Sequence, residues 1–362
     1  MPNSLEDARR EAKVAAPTAK DKAWVIFDRI IADATPEGFH TNPWRLIGDR
    51  REYVPDIATL ERLLGVPLYL RATVRSGVRA LALDVWLAYE LRRAGFEADA
   101  VWPRASHPRI LPVPITNLLD ALPKADRVKL MQRLTKKTAI PGVTSSSASI
   151  LGKNYLKQVD VIMTDWATGP EILISTKRMD SSYGKNAANR VEESYGDAKN
   201  LRLRHPMASL GFLIALRSDV RVKEPLIFDW LTDLVGKLGQ EDDAYHATAL
   251  LLMEYGDDLV DEDDDDEEEP ENPLADVGAE PEADGEEEIE DVPADEVDAA
   301  LTALPRVVIQ EDLVEDHLRA APFIATIVNR ALDGTPINLH KEARLRRKNA
   351  VAADGNGGPV EG

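Results

Sequence analysis

The 362-residue sequence contains no cysteine, which removes disulfides, thiolate zinc sites and cysteine nucleophiles from consideration. No apolar run approaches the roughly 18 residues that a membrane helix requires. The opening residues, MPNSLEDARR, lack the apolar stretch of a secretory leader. These absences predict a soluble, cytoplasmic protein. Only six histidines occur, and they are scattered. No HExxH, P-loop or Gly-x-Ser-x-Gly pattern is present, so the common signatures of zinc proteases, nucleotide hydrolases and serine hydrolases are missing.

Positive charge is absent from one whole stretch. Residues 254–298 carry 25 Asp and Glu and no Lys or Arg. The formal charge of −20 belongs to that stretch, because the remainder has 39 acidic against 44 basic residues and a net of +5. An acidic total therefore does not argue against a nucleic-acid partner.

Composition and periodicity divide the chain into five parts. Residues 1–70 read as a helical region, with KAWVIFDRIIADA and DIATLERLLG apolar at three- and four-residue spacing around a turn-rich patch, GFHTNPWRLIGDRREYVP. An α/β core over 71–255 begins with a helix, SGVRALALDVWLAYELRRA, and a strand in FEADAVWP. A helical stretch around ADRVKLMQRL leads to the polar loop PGVTSSSAS. The strands QVDVIMTD and EILISTKR then form a hairpin about an Ala-Thr-Gly-Pro turn. NAANRVEESYGDAKNL reads as a helix, ASLGFLIALRS as a buried strand and PLIFDWLTDLVGKL as a further helix. Residues 256–298 are expected to be a disordered acidic linker, residues 299–348 a helical segment with a basic end, and 349–362 a flexible tail. The linker reads as a solubilising spacer, as a competitor with DNA, or as a partner for the basic tail Arg344–Lys348.

Within the hairpin, strand parity puts Glu171, Ser175 and Lys177 on one face. Asp160 is expected in the middle of the neighbouring strand between Val159 and Val161, where an aspartate is costly unless it meets a cation or hydrogen-bond donors. A surface Asp–Lys pair on an amphipathic hairpin is the alternative. On the following helix, Glu192 is expected beside an apolar stripe containing Val191, with Glu193 nearly opposite. Glu192 also fits a surface pairing with Lys199 or Arg190. Carboxylates and a lysine in this arrangement suit metal-assisted phosphodiester hydrolysis: magnesium is held by one or two carboxylates, and a lysine offsets charge on the phosphate.

The order helix, strand, Asp strand, x-x-Lys strand, helix, strand resembles the PD-(D/E)XK nuclease superfamily. The Asp of QVDVIM matches its first metal ligand and the Lys of ISTK its catalytic lysine. The resemblance spans about residues 76–220 and implies a restriction-endonuclease-like α/β core, a central mixed sheet flanked by helices. It implies a magnesium-dependent DNA endonuclease of restriction or defence type, leaving 5′-phosphates, with double-stranded DNA as partner and a homodimer or higher homo-oligomer. The acid usual two residues before the lysine is Ser175 here, so the second ligand is expected from Glu192, as in type II enzymes with a displaced acid, and Ser175 is expected to bond a metal-bound water. Asp84, Glu171 and Glu193 are further candidate acids, with surface solvation the alternative for Asp84. Phosphate contacts are expected from Arg178, Lys185, Arg190, Lys199, Arg202 and Arg204, with His205 beside the last two. A non-catalytic DNA-binding protein on a degenerate core is the competing expectation.

Overall fold

A computed structural model describes residues 16–135, 140, 143–144, 148–240, 242, 244–259 and 292–352. The helices are α1 (Ala19–Ala34), α2 (Ile57–Tyr69), α3 (Val78–Arg93), α4 (Val113–Ala121), α5 (Lys124–Leu134), α6 (Tyr183–Arg202), α7 (Val220–Lys223), α8 (Pro225–Leu238), α9 (Ala294–Ala303), α10 (Ala320–Asp333) and α11 (Lys341–Lys348). The strands are β1 (Trp44–Ile47), β2 (Arg50–Tyr53), β3 (Val101–Trp102), β4 (Ser149–Leu151), β5 (Leu156–Gln158), β6 (Val161–Asp165), β7 (Gly169–Met179), β8 (Ser209–Arg217), β9 (Ala247–Glu254), β10 (Val308–Ile309) and β11 (Val351–Ala352).

A mixed six-stranded sheet in the order β10-β9-β8-β7-β6-β3 organises the α/β fold. β7, β8 and β9 run parallel, whereas β6 is antiparallel to β7 and the two edge strands are antiparallel to their neighbours. β8 lies at the centre and every one of its residues is buried, as its continuous apolar run predicts. The expected hairpin forms, with Val161 opposite Ile174 and Asp165 opposite Gly169.

Helices cover both faces. α3 and α10 seal one face together with α1 and α2, burying Phe27, Leu63, Trp86, Phe323 and Ile327 in one cluster with Ile174 and Leu213. α6 and α8 seal the other, burying Val191, Leu201, Leu231 and Val235 with Leu173, Phe212 and Ile214. The seat of α10 is close: a Cβ on Gly211 of β8 would lie 2.9 Å from Phe323 and 3.0 Å from Ile327. That space explains a glycine in the middle of a buried strand.

Helices α1 and α2 of residues 1–70 and α10 of residues 299–348 share one core with the sheet. Several expectations need correcting. The patch between α1 and α2 is not merely turns. β1 and β2 pair there, joined at Gly48 (φ 59°), with Trp44 and Tyr53 edge-to-face at 5.2 Å on the buried side and charged residues outside. β11 adds to β1 in parallel and ties the chain's last described residues to this hairpin. In FEADAVWP only Val101 and Trp102 form a strand, because a 3-10 turn at Ala98–Ala100 interrupts the extended chain while Phe96 and Ala100 still reach the core. Within the expected acidic linker, residues 294–298 begin helix α9, whose Glu296 pairs with Lys22 at 3.0 Å. Residues 260–291, most of that linker, and most of the loop PGVTSSSAS lie outside the described residues.

Candidate active site

β7 does most of the positioning. Successive residues of a strand face opposite sides: Ile172 and Ile174 pack beneath α3, and Leu173 and Met179 pack beneath α6. Thr176 therefore looks toward α3 and Lys177 toward α6. Asp84, buried on α3, accepts the Thr176 hydroxyl at 2.6 Å. Asp160 accepts the backbone N–H of the same residue at 2.7 Å. Two carboxylates from different elements thus meet on one residue. Asp160 is not in the middle of a strand as expected. It is half-buried immediately before β6, where leaving the pleat lets its carboxylate reach across to β7.

Burial holds the Asp84 carboxyl well above the usual carboxylate range, and the charge of Asp160 pushes the same way. The Thr176 hydroxyl, Lys20 and Lys177 pull it down. Among the described residues no group of three or more His, Cys, Asp or Glu is disposed to hold a metal ion. Magnesium retains several waters and takes one or two protein carboxylates, so Asp84 and Asp160 are the residues that could hold one here. A cation there offsets the repulsion that two partly desolvated carboxylates otherwise carry.

On the α6 side of β7 a second set of charges gathers around Lys177. Glu193 lies 3.9 Å from Lys177 and 3.7 Å from both Lys157 and Arg190. Lys157, buried on β5, pairs with Asp197 at 2.9 Å, and the Tyr155 hydroxyl donates to Asp197 at 3.1 Å. Ser175 is buried and hydrogen-bonds the phenol of Tyr245, whose hydroxyl donates to the Ser194 carbonyl at 2.9 Å. Ser175 is therefore committed to the α6 side.

Glu192 is exposed on the outer side of α6, and Glu193 turns toward the site, the reverse of expectation. The buried residues of the helix are Tyr183, Asn186, Ala187, Val191, Ser194, Asp197, Ala198, Asn200 and Leu201. At about 100° per residue their centre falls roughly 70° from Val191, on the side away from Glu192. Asn186, Ser194 and Asp197 shift it, and hydrophobicity alone does not reveal buried polar residues. Glu171 is at the far end of β7 from Lys177, where His340 Nε2 contacts it at 2.5 Å and Thr168 also bonds it. Arg178 faces the opposite side of the strand from Lys177. It is buried with Asp180 at 2.9 Å, and its expected contact with DNA phosphate is not available to it.

The remaining basic residues do not form one cluster. Lys185 and Lys199 are exposed on α6, with Lys199 over the Tyr195 ring at 5.9 Å. Arg202 bonds the Ala244 carbonyl at 3.3 Å and His246 at 2.5 Å, and His205 contacts the Leu151 carbonyl at 3.0 Å. Arg204 is exposed after the helix. Lys157, Thr176, Asp197 and Tyr245 were not anticipated. Lys157 had a signal, since it stands three residues before Asp160 in the same extended segment, whereas Tyr245 comes from a distant part of the chain.

Comparisons with protein-family models, with curated proteins and with solved structures find no match to this chain.

Proposed function

We propose that this protein is a magnesium-dependent DNA endonuclease on a restriction-endonuclease-like core. The observation that carries the reading is the meeting of Asp84 and Asp160 on Thr176, with Lys177 the next residue along the strand. The succession α3, β3, β6, β7, α6, β8 supports it, with β6 antiparallel and β8 parallel to β7, since that is the element order on which the resemblance rests. In this arrangement Asp84 takes the part expected of Glu192.

Asp84 and Asp160 would hold the magnesium ion, which when bound supplies an acidified water and neutralises phosphate charge. Thr176 fixes both carboxylates by its amide and hydroxyl, so that they keep their spacing as charge changes between them. Lys177, only 11% exposed, points to the α6 side of the strand, from which its ammonium would act on a phosphate reaching past the strand edge and offset the negative charge that grows in the transition state. Ser175, tied to Tyr245, locks the strand between these groups rather than bonding a metal-bound water. Restriction or defence against foreign DNA is the setting this reading favours.

Plasmid cleavage with magnesium, on unmodified and methylated DNA, tests the proposal. Wild type should cut, and Asp160→Asn, Asp84→Asn and Lys177→Ala should each lose about a hundredfold or more while keeping their circular dichroism. Retained cutting in Asp160→Asn sinks the proposed site. The competing reading is a DNA-binding protein without catalysis. It requires duplex binding with no cleavage on any substrate.

A further inference from the structure

The contacts of Glu193 are unusual in kind. One carboxylate faces three cations from three different elements: Lys157 of β5, Lys177 of β7 and Arg190 of α6. Its distances to them, 3.7, 3.9 and 3.7 Å, exceed the roughly 2.7–2.9 Å of a charge-assisted hydrogen bond. Lys157 makes its short bond elsewhere, to Asp197 at 2.9 Å. The lysine side chains are buried, at 8% and 11% exposure, while that of Glu193 is 37% exposed and borders solvent. A planar carboxylate bridges these donors loosely. A tetrahedral phosphate, with oxygens directed to more than two sides, meets three converging cations better.

Resting on the phosphodiesterase reading of this site, we infer that Lys157, Lys177 and Arg190 form a cradle for a backbone phosphate of the nucleic acid. Glu193 fills that cradle as an internal stand-in until a phosphate displaces it. Asp197 and Tyr155 hold Lys157 in place when Glu193 leaves. Glu193 thus sets a threshold for binding rather than contributing a metal ligand. Lys157, which lies outside the matched motif, becomes a phosphate-binding residue.

The test is binding of a fluorescent DNA duplex, by anisotropy in EDTA at low salt, to wild type, Glu193→Gln and Glu192→Gln. The two substitutions remove the same charge from adjacent positions of one helix, so the general field of the protein changes equally. Glu193→Gln should tighten binding about five- to tenfold more than Glu192→Gln. It should also steepen the salt dependence by about 0.9 in log–log slope if one more phosphate is engaged. Unchanged or weaker binding in Glu193→Gln, or an equal gain in Glu192→Gln, overturns the inference. Magnesium-dependent cutting by wild type is read separately. A protein that never cuts but tightens on Glu193→Gln keeps the cradle and loses the nuclease, and one that cuts without tightening does the opposite.

Discussion

The hydroxyl of Thr176 donates to the Asp84 carboxylate at 2.6 Å, joining the centre of the sheet to the middle of α3. Thr176→Val keeps the shape and the backbone amide that serves Asp160, but removes this donor. The buried carboxylate then lacks that bond, and stability should fall by about 1–3 kcal/mol. Thr176→Ser should recover most of the loss. Urea unfolding measures both, and equal stability of the valine and serine variants would show that the hydroxyl is unimportant.

Glu90 on α3 is fully buried. It receives Arg93 on both oxygens at 2.8 Å, the Tyr53 hydroxyl at 2.8 Å and the Asp56 backbone N–H at 2.7 Å. Glu90→Ala strands a buried guanidinium and should cost about 3–5 kcal/mol. Denaturant titration should show the midpoint drop. A loss under about 1 kcal/mol, the range of an exposed pair, would mean that Arg93 finds water instead.

Acid should destabilise the protein through two histidines. Burial first, then Arg92, Arg346 and Arg93, lowers His40 from 6.5 to about 4. Burial, then Arg202 and Arg330, lowers His246 to about 3. Both groups bind protons more readily in the unfolded chain, so their contribution is present above pH 6.5 and is lost as pH falls toward the folded values. The melting temperature should drop between pH 6.5 and 4, and His40→Asn should flatten that slope. An unaltered slope would place the sensitivity elsewhere.

Gly211→Ala puts a methyl against Phe323 and Ile327 in the space where α10 meets β8. The expected cost is about 1–3 kcal/mol from overpacking, read by chemical denaturation. A neutral result would show that α10 slides on the sheet.

Much of this architecture was legible because burial and periodicity coincide. β8 is apolar between Leu210 and Leu216 and lies at the centre of the sheet, α3 follows its pattern closely, and the β6–β7 hairpin forms although β6 begins only at Val161. Legibility failed where polar residues are buried. Asn186, Ser194 and Asp197 rotate the inner face of α6 and exchange the positions of Glu192 and Glu193. Asp160 and Lys177 could be picked out as a pair, and both act on the charge of Asp84. The anchoring of Asp84 by Thr176 could not be foreseen, because it depends on how α3 lies across β7.

The seat of α10 also dictates the order of events at the ribosome. The strands β7 to β9 are complete by Glu254, but the helix that caps their face ends only at Asp333. The stretch between Leu259 and Val292, with 19 carboxylates and no lysine or arginine, emerges first. At about 5–20 residues per second, the apolar face holding Leu213 and Gly211 waits roughly 4–16 seconds for its cover. The core of this protein therefore closes only after most of the chain has been made.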